Sequence, residues 1–293
     1  MQALAGFILH GRAAALLVVT GTVMMPLVSW VSVAALGLVT LRRGIGEGLF
    51  LAGLATLVLA GATALTGASA MAAVVPMLAL WLPALIASGV LRETVSWPYA
   101  LELLATAMVL GTLVFHAVVP DVAAFWGEQL GHMQDELELS EADEAENQRV
   151  VAAVAERLTG MVFGGLLVVV MGGLILARYW QALLFNPGGF QAEFHALRLQ
   201  SGFTLASLGL VLASLFMGPG VVNDVASVLV SVFVLQGLAV IHAIARHRDW
   251  GWPWLLPVYI LLPVLGRLIA FMGMFDVFAD LRQRVIGPGD RAS

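Results

Sequence analysis

Residues 49–66 read LFLAGLATLVLAGATALT, a run with no ionisable side chain. A helix of that length rises about 27 Å, close to the ~30 Å hydrocarbon thickness of a bilayer. Comparable apolar runs occupy 13–41, 71–91, 97–118, 161–177, 201–217, 222–245 and 252–275. A backbone facing lipid has to satisfy its own hydrogen bonds, and a helix does so within one segment. The pattern predicts an all-α, polytopic transmembrane helical bundle of about eight spans (seven to nine), one integral membrane domain over residues 1–293. The first run is long enough for a single tilted helix. Pro26 at its middle also allows two half-helices folded as a hairpin.

Composition supports this class. Hydrophobic residues make up 60% and charged residues 11%, against about 25% charged in an ordinary soluble domain. There is no cysteine, which excludes disulfides and thiolate metal sites. All 14 basic residues are arginine; we read this as GC-rich coding and hence a bacterial inner-membrane protein. Residues 1–12 are too weakly basic, and the next run too long, for a cleaved signal peptide, so an uncleaved first span is expected.

Orientation follows from arginine placement. Arg42 and Arg43, Arg92, Arg178 and Arg198, and Arg246 and Arg248 fall in alternate loops, which are expected to be cytoplasmic. Arg282, Arg284 and Arg291 break the alternation. Either the span count is off by one, or the 252–275 region, with Pro257 and Pro263, does not cross simply.

The segment 120–160 is expected to be an acidic, amphipathic helical hairpin outside the membrane. Trp126, Leu130, Met133 and Leu137 recur at helical spacing, and Ser140 is a candidate N-cap for a second helix carrying Val151, Val154 and Leu158. Its charge would repel nucleic acid, and it lacks the residue order of a calcium loop. Small residues at Gly160 and Gly164, and at Gly202, Ala206, Gly209 and Ala213, are expected to let helices approach closely within the bundle.

An ionisable group inside the membrane is a functional candidate by default. Arg267 lies well inside the last run and needs an anionic partner, a hydrated cavity or a ligand. Asp276, nine residues on, falls on the opposite helix face, which leaves Glu102, Asp224 or an anionic ligand as partners. Asp276, Asp280 and Arg284, at i, i+4 and i+8, suit a self-paired helix end. Arg267, Glu102, Asp224 and Asp276 are thus the ligand-binding candidates. His116 and His242 read as interfacial. No nucleotide-binding loop, nucleophile elbow or metal-ligand spacing is present, so no catalytic residue, metal or cofactor is expected.

The loop Arg178-Tyr-Trp-Gln-Ala-Leu-Leu-Phe-Asn-Pro-Gly-Gly-Phe190, followed by Glu193, combines interfacial aromatics with a turn. Arg178, Trp180, Asn186, Pro187, Gly188, Gly189, Phe190 and Glu193 are candidates for contact with a partner or substrate. Through this loop and the Gly266-Arg267 to Arg284 segment, the chain resembles the YybS-like family of predicted bacterial inner-membrane proteins. That family is distantly similar to the substrate-binding S components of energy-coupling-factor transporters and to the rod-shape protein MreD. The resemblance covers most of the length and implies a membrane-embedded bundle that works with partner proteins. The chain has more than the six spans of S components, and its first span lacks their A-x-x-x-A docking motif. The expected function is a non-enzymatic substrate-binding or transport component for a small, anionic molecule; the alternative is a membrane scaffold or assembly factor of the cell envelope.

Overall fold

The computed structural model describes residues 1–136 and 144–286; it is 87% helical, with no strand among the described residues. The chain opens with α1 (Gln2–His10) and α2 (Arg12–Val23). The backbone then turns extended at Met25, and a 3-10 turn at Pro26–Val28 leads into α3 (Ser29–Arg43). Proline has no N–H to donate and disfavours helix in the residue before it. The run 13–41 is accordingly two short helices packed on each other rather than one tilted span.

Next come α4 (Ile45–Leu65), α5 (Ala70–Thr94) and α6 (Trp97–Val118). After them, α7 (Val122–Glu136) and α8 (Glu144–Ala155) contact each other. The expected cap at Ser140 lies outside the described residues. The chain continues through α9 (Leu158–Phe185), α10 (Gly189–His195), α11 (Ser201–Ser214), α12 (Val221–His247), α13 (Leu256–Ala279) and α14 (Leu281–Ile286).

Among the described residues, six helices are long and apolar enough to cross a membrane: α4, α5, α6, α9, α12, and α13 with the 3-10 turn before it. The protein is an integral, multi-pass membrane protein. The expected span at 201–217 is instead the 14-residue α11, about 21 Å long and short of the bilayer core. The helix at the centre is α3. Every residue from Ser32 to Leu41 is buried, and α2, α4, α5 and α9 pack around it. A helix apolar on all faces has to be enclosed in this way.

Side-chain contacts join the arginine-bearing helix ends into one layer. Arg92 donates to the Leu41 carbonyl at 2.8 Å, the Arg42 guanidinium lies 3.7 Å from the Phe185 ring centroid, and Phe194 meets the His242 ring at 5.7 Å. α13 meets this layer twice. Tyr259 bonds His242 at 3.1 Å, and Arg282, just past the helix, donates to the His195 and Leu197 carbonyls. Arg282 therefore lies with the other arginines of this layer.

α12 and α13 cross at glycines. A Cβ on Gly273 would sit 2.6 Å from the Phe233 carbonyl oxygen and 2.7 Å from the Gly237 nitrogen. Backbone cannot give way as a side chain can. Gly273→Leu is expected to destabilise the protein by roughly 3 kcal/mol or more, read as a lower unfolding temperature in detergent.

Candidate functional site

The extended segment between α10 and α11 decides the roles of most buried polar groups. Leu197 and Leu199 are 2% exposed, yet their peptide groups belong to no helix. Buried irregular backbone is tolerated only where other groups satisfy its N–H and C=O groups. Here side chains from three helices do so. Gln236 of α12 accepts from the Leu199 N–H at 2.9 Å and donates to the Gly273 carbonyl at 2.6 Å. Glu102 of α6 accepts from the Gln200 N–H at 2.5 Å. Arg282 covers the carbonyls of His195 and Leu197.

Arg282 is itself held by Asp276, which is fully buried and accepts at 3.1 Å from Nε and 2.9 Å from an Nη. Arg198 bridges Asp280 at 2.6 Å. Glu102 and Asp276, expected as ligand candidates, are thus engaged in bracing a broken backbone. The expected self-pairing of Asp276, Asp280 and Arg284 is also corrected. Asp280 adopts a left-handed conformation (φ 47°) that ends the helix, so the i, i+4 register stops there.

Burial works against the Asp280 charge, yet hydrogen bonds from Arg198 and the Gln283 N–H, with Arg282 nearby, hold its carboxyl below the usual carboxylate range. A depressed carboxyl contributes stability above its unfolded value, and the contribution disappears as the pH falls through the folded one. The stability gap between the native protein and Asp280→Asn is therefore expected to narrow as the pH falls below about 4, in thermal unfolding followed against pH.

A second buried cluster lies where the acidic segment joins the bundle. Asp224, in the first turn of α12 and 2% exposed, bonds His116 Nε2 at 2.7 Å through Oδ2. Its Oδ1 accepts from the Gly160 N–H at 3.0 Å, a first-turn donor of α9 with no partner in its own helix. A Cβ at Gly160 would lie 2.7 Å from the Asp224 Cα. Trp126 of α7 donates to Thr159 at 2.8 Å and stacks on Phe115. Sequence reading missed this cluster because His116 and Asp224 are 108 positions apart.

Arg267 stands apart from both clusters. It is exposed, and among the described residues it forms no hydrogen bond or ion pair. Its expected partners Glu102 and Asp224 are bonded elsewhere. It lines a cavity of ≈ 460 Å³ between α9, α11, α12 and α13, with Ser214, Asn223, Ser227 and Ser231 contributing the polar wall. Gly160 and Gly164 form part of the floor.

No family model matches the chain, and no curated protein or solved structure does. Function is therefore read from geometry alone.

The loop expected to face a partner is largely turned inward. Arg178 forms a two-point ion pair with Glu193 (2.9 and 2.6 Å), and Trp97 donates to the same carboxylate at 3.3 Å. Trp180 is 1% exposed. Phe190 packs between Trp97, Tyr179 and Phe194. Among the candidate contact residues, the tip at Asn186, Pro187 and Gly188 is exposed and Gly189 is half-buried; Tyr179 and Phe185 are exposed beside them, and Gly188 takes the positive φ (87°) that the turn requires. The small-residue stripes divide likewise. Gly160 and Gly164 pack against α12, whereas Gly202 and Gly209 face open space rather than a neighbouring helix.

Proposed function

We propose that the protein is a non-enzymatic substrate-binding or transport component of a bacterial inner membrane, and that its ligand is a small anion held at Arg267. The observation that carries this is an arginine with no partner among the described residues, lining a cavity whose other polar side chains are hydroxyls and an amide. A charge within the membrane is unfavourable by a few kcal/mol unless paired or hydrated. Every acidic group proposed to pair with it is bonded elsewhere, so the charge is left available to a ligand. The cavity also has a broken element in its wall, since Val211, Ser214 and Leu215 belong to or follow the short α11. Transporters commonly build midplane sites from interrupted helices of this kind.

The orientation proposed with this reading places the arginine layer in the cytoplasm and α7 and α8, as an acidic hairpin, outside. The part of the cavity lined by the first turns of α9 and α12 then lies toward the outer side. Lacking a nucleotide-binding loop, the protein would draw energy from an ion gradient or partner subunits. Kinship with the YybS-like family is part of the same proposal and rests on the 178–190 and 266–284 segments. The scaffold reading has one observation of its own, the outward-facing Gly202 and Gly209.

Native mass spectrometry of the protein drawn gently from its own membrane tests the proposal. A bound small anion is expected in the native protein and absent from Arg267→Leu. Retention of the same molecule by the variant would sink it.

A further inference from the structure

From the His116–Asp224 pair beside the cavity, we infer that ligand binding at Arg267 is coupled to uptake of one proton by His116, so that the anion and a proton bind together. The inference rests on the anion-binding reading above and adds the coupling ion to it. Asp224 adjoins Asn223 in sequence and holds the Gly160 N–H, and both Asn223 and Gly160 line the cavity. The pair is therefore one residue removed from the ligand space.

The charge balance is simple. In the tautomer that carries its proton on Nε2, the uncharged His116 ring donates to the Asp224 carboxylate, and the pair in that form carries one negative charge. The other ring nitrogen, Nδ1, makes no hydrogen bond among the described residues, and the side chain is 19% exposed. A proton from the adjoining solution adds to Nδ1, and the pair becomes a neutral sum of imidazolium and carboxylate. The pair that backs the cavity wall at Gly160 and Asn223 thereby loses one negative charge. An anion in the cavity is favoured by that loss. By linkage, the anion must favour the proton to the same extent.

Few other groups can account for such a titration. The helices packed on α6 here are α5, α9 and α12, and α7 meets it through the rings on Phe115. Residues 70–91 of α5 and 158–177 of α9 contain no ionisable side chain, and residues 221–241 of α12 contain Asp224 alone. α13 brings Arg267 to the cavity. Asp121, Glu128 and His132, on and just before α7, are exposed, and Arg157 stands just before α9.

The absence of cysteine from the chain makes the test direct. Ser227→Cys places one thiol in the cavity wall of the full-length protein in lipid nanodiscs. Its reaction rates with a sulfonate-bearing and a trimethylammonium-bearing methanethiosulfonate are each divided by that reagent's rate with a free thiol in solution. The ratio of the two cancels the thiolate fraction and reports the cavity's preference for an anion. It is expected to rise about fivefold or more between pH 8 and pH 5.5 and to stay flat when His116→Gln is added. A preference that depends on Arg267 but not on pH would overturn the coupling and leave the anion site standing; loss of the Arg267 dependence would overturn the site itself. A pH-dependent rise that survives His116→Gln would also overturn the coupling. Should that variant fail to fold, nitrogen NMR of labelled histidine gives an independent reading. At one fixed pH the His116 ring is expected to show more imidazolium with the sulfonate attached at position 227 than with the ammonium, and identical spectra would refute the coupling.

Discussion

Asp276→Ala should be the most damaging single substitution in this protein, lowering its stability by about 3–5 kcal/mol. Asp276 is fully buried and is the acid that accepts two bonds from the Arg282 side chain. Removing it leaves a guanidinium in the interior without its counter-charge. The loss spreads, because the same guanidinium covers the carbonyls of His195 and Leu197. Those carbonyls belong to the end of α10 and to the extended segment that precedes α11, which forms one wall of the cavity. Thermal unfolding in detergent should show the drop, and proteolysis near 195–200 should accelerate.

The effect should be asymmetric. Arg282→Met alone should also destabilise, since it exposes two carbonyls and strands Asp276. The double variant Asp276→Leu with Arg282→Met should be less damaging than the sum of its parts, because no buried charge remains unpaired. Strict additivity would show that the two groups do not act as a pair.

Arg267→Leu should behave in the opposite way. The residue is exposed and has no partner among the described residues. Its removal should lower stability by no more than about 0.5 kcal/mol, as for substitutions that break no defined interaction. Anion affinity should nonetheless fall by ~10- to 150-fold, the value of roughly 1.5–3 kcal/mol for a hydrogen bond to a charged group. The two arginines thus separate structure from function. Arg282 fixes the fold, and Arg267 serves the ligand. An Arg267→Leu protein that unfolded as readily as Asp276→Ala would make Arg267 a structural pin.

The frame of the fold is legible because hydropathy is local. Residues 49–66 or 222–245 announce a membrane helix without reference to anything else in the chain. Pro26 is legible for the same reason, since its effect falls on itself and its neighbour. The short α11 is not. The run 201–217 has the composition of a span, but its approach from Leu197 to Gln200 is extended and held by Glu102, Gln236 and Arg282, up to 98 positions away. Distance in sequence likewise hides the His116–Asp224 pair.

Asp276 shows a different failure. Helix periodicity correctly separates it from Arg267, but it assumes one unbroken helix to Arg284. The left-handed Asp280 turns the chain so that Arg282 reaches back. In the 178–193 loop, composition identified an unusual cluster but not its direction, because an ion pair such as Arg178–Glu193 can face inward or outward with the same residues. Arg267 was legible for a physical reason that survives in the structure: a charge in an apolar run demands an explanation, and no protein group supplies one among the described residues.

The most direct test of the central claim uses Ser227→Cys at neutral pH, with Arg267 intact and with Arg267→Gln. A cavity lined by one sign of charge concentrates ligands of the opposite sign about tenfold or more. The sulfonate reagent should therefore react at least ~10-fold faster than the ammonium reagent, after correction for free-thiol rates, and Arg267→Gln should abolish the difference while leaving the unfolding temperature unchanged. Equal rates for the two reagents in the presence of Arg267 would contradict an anion site in this cavity.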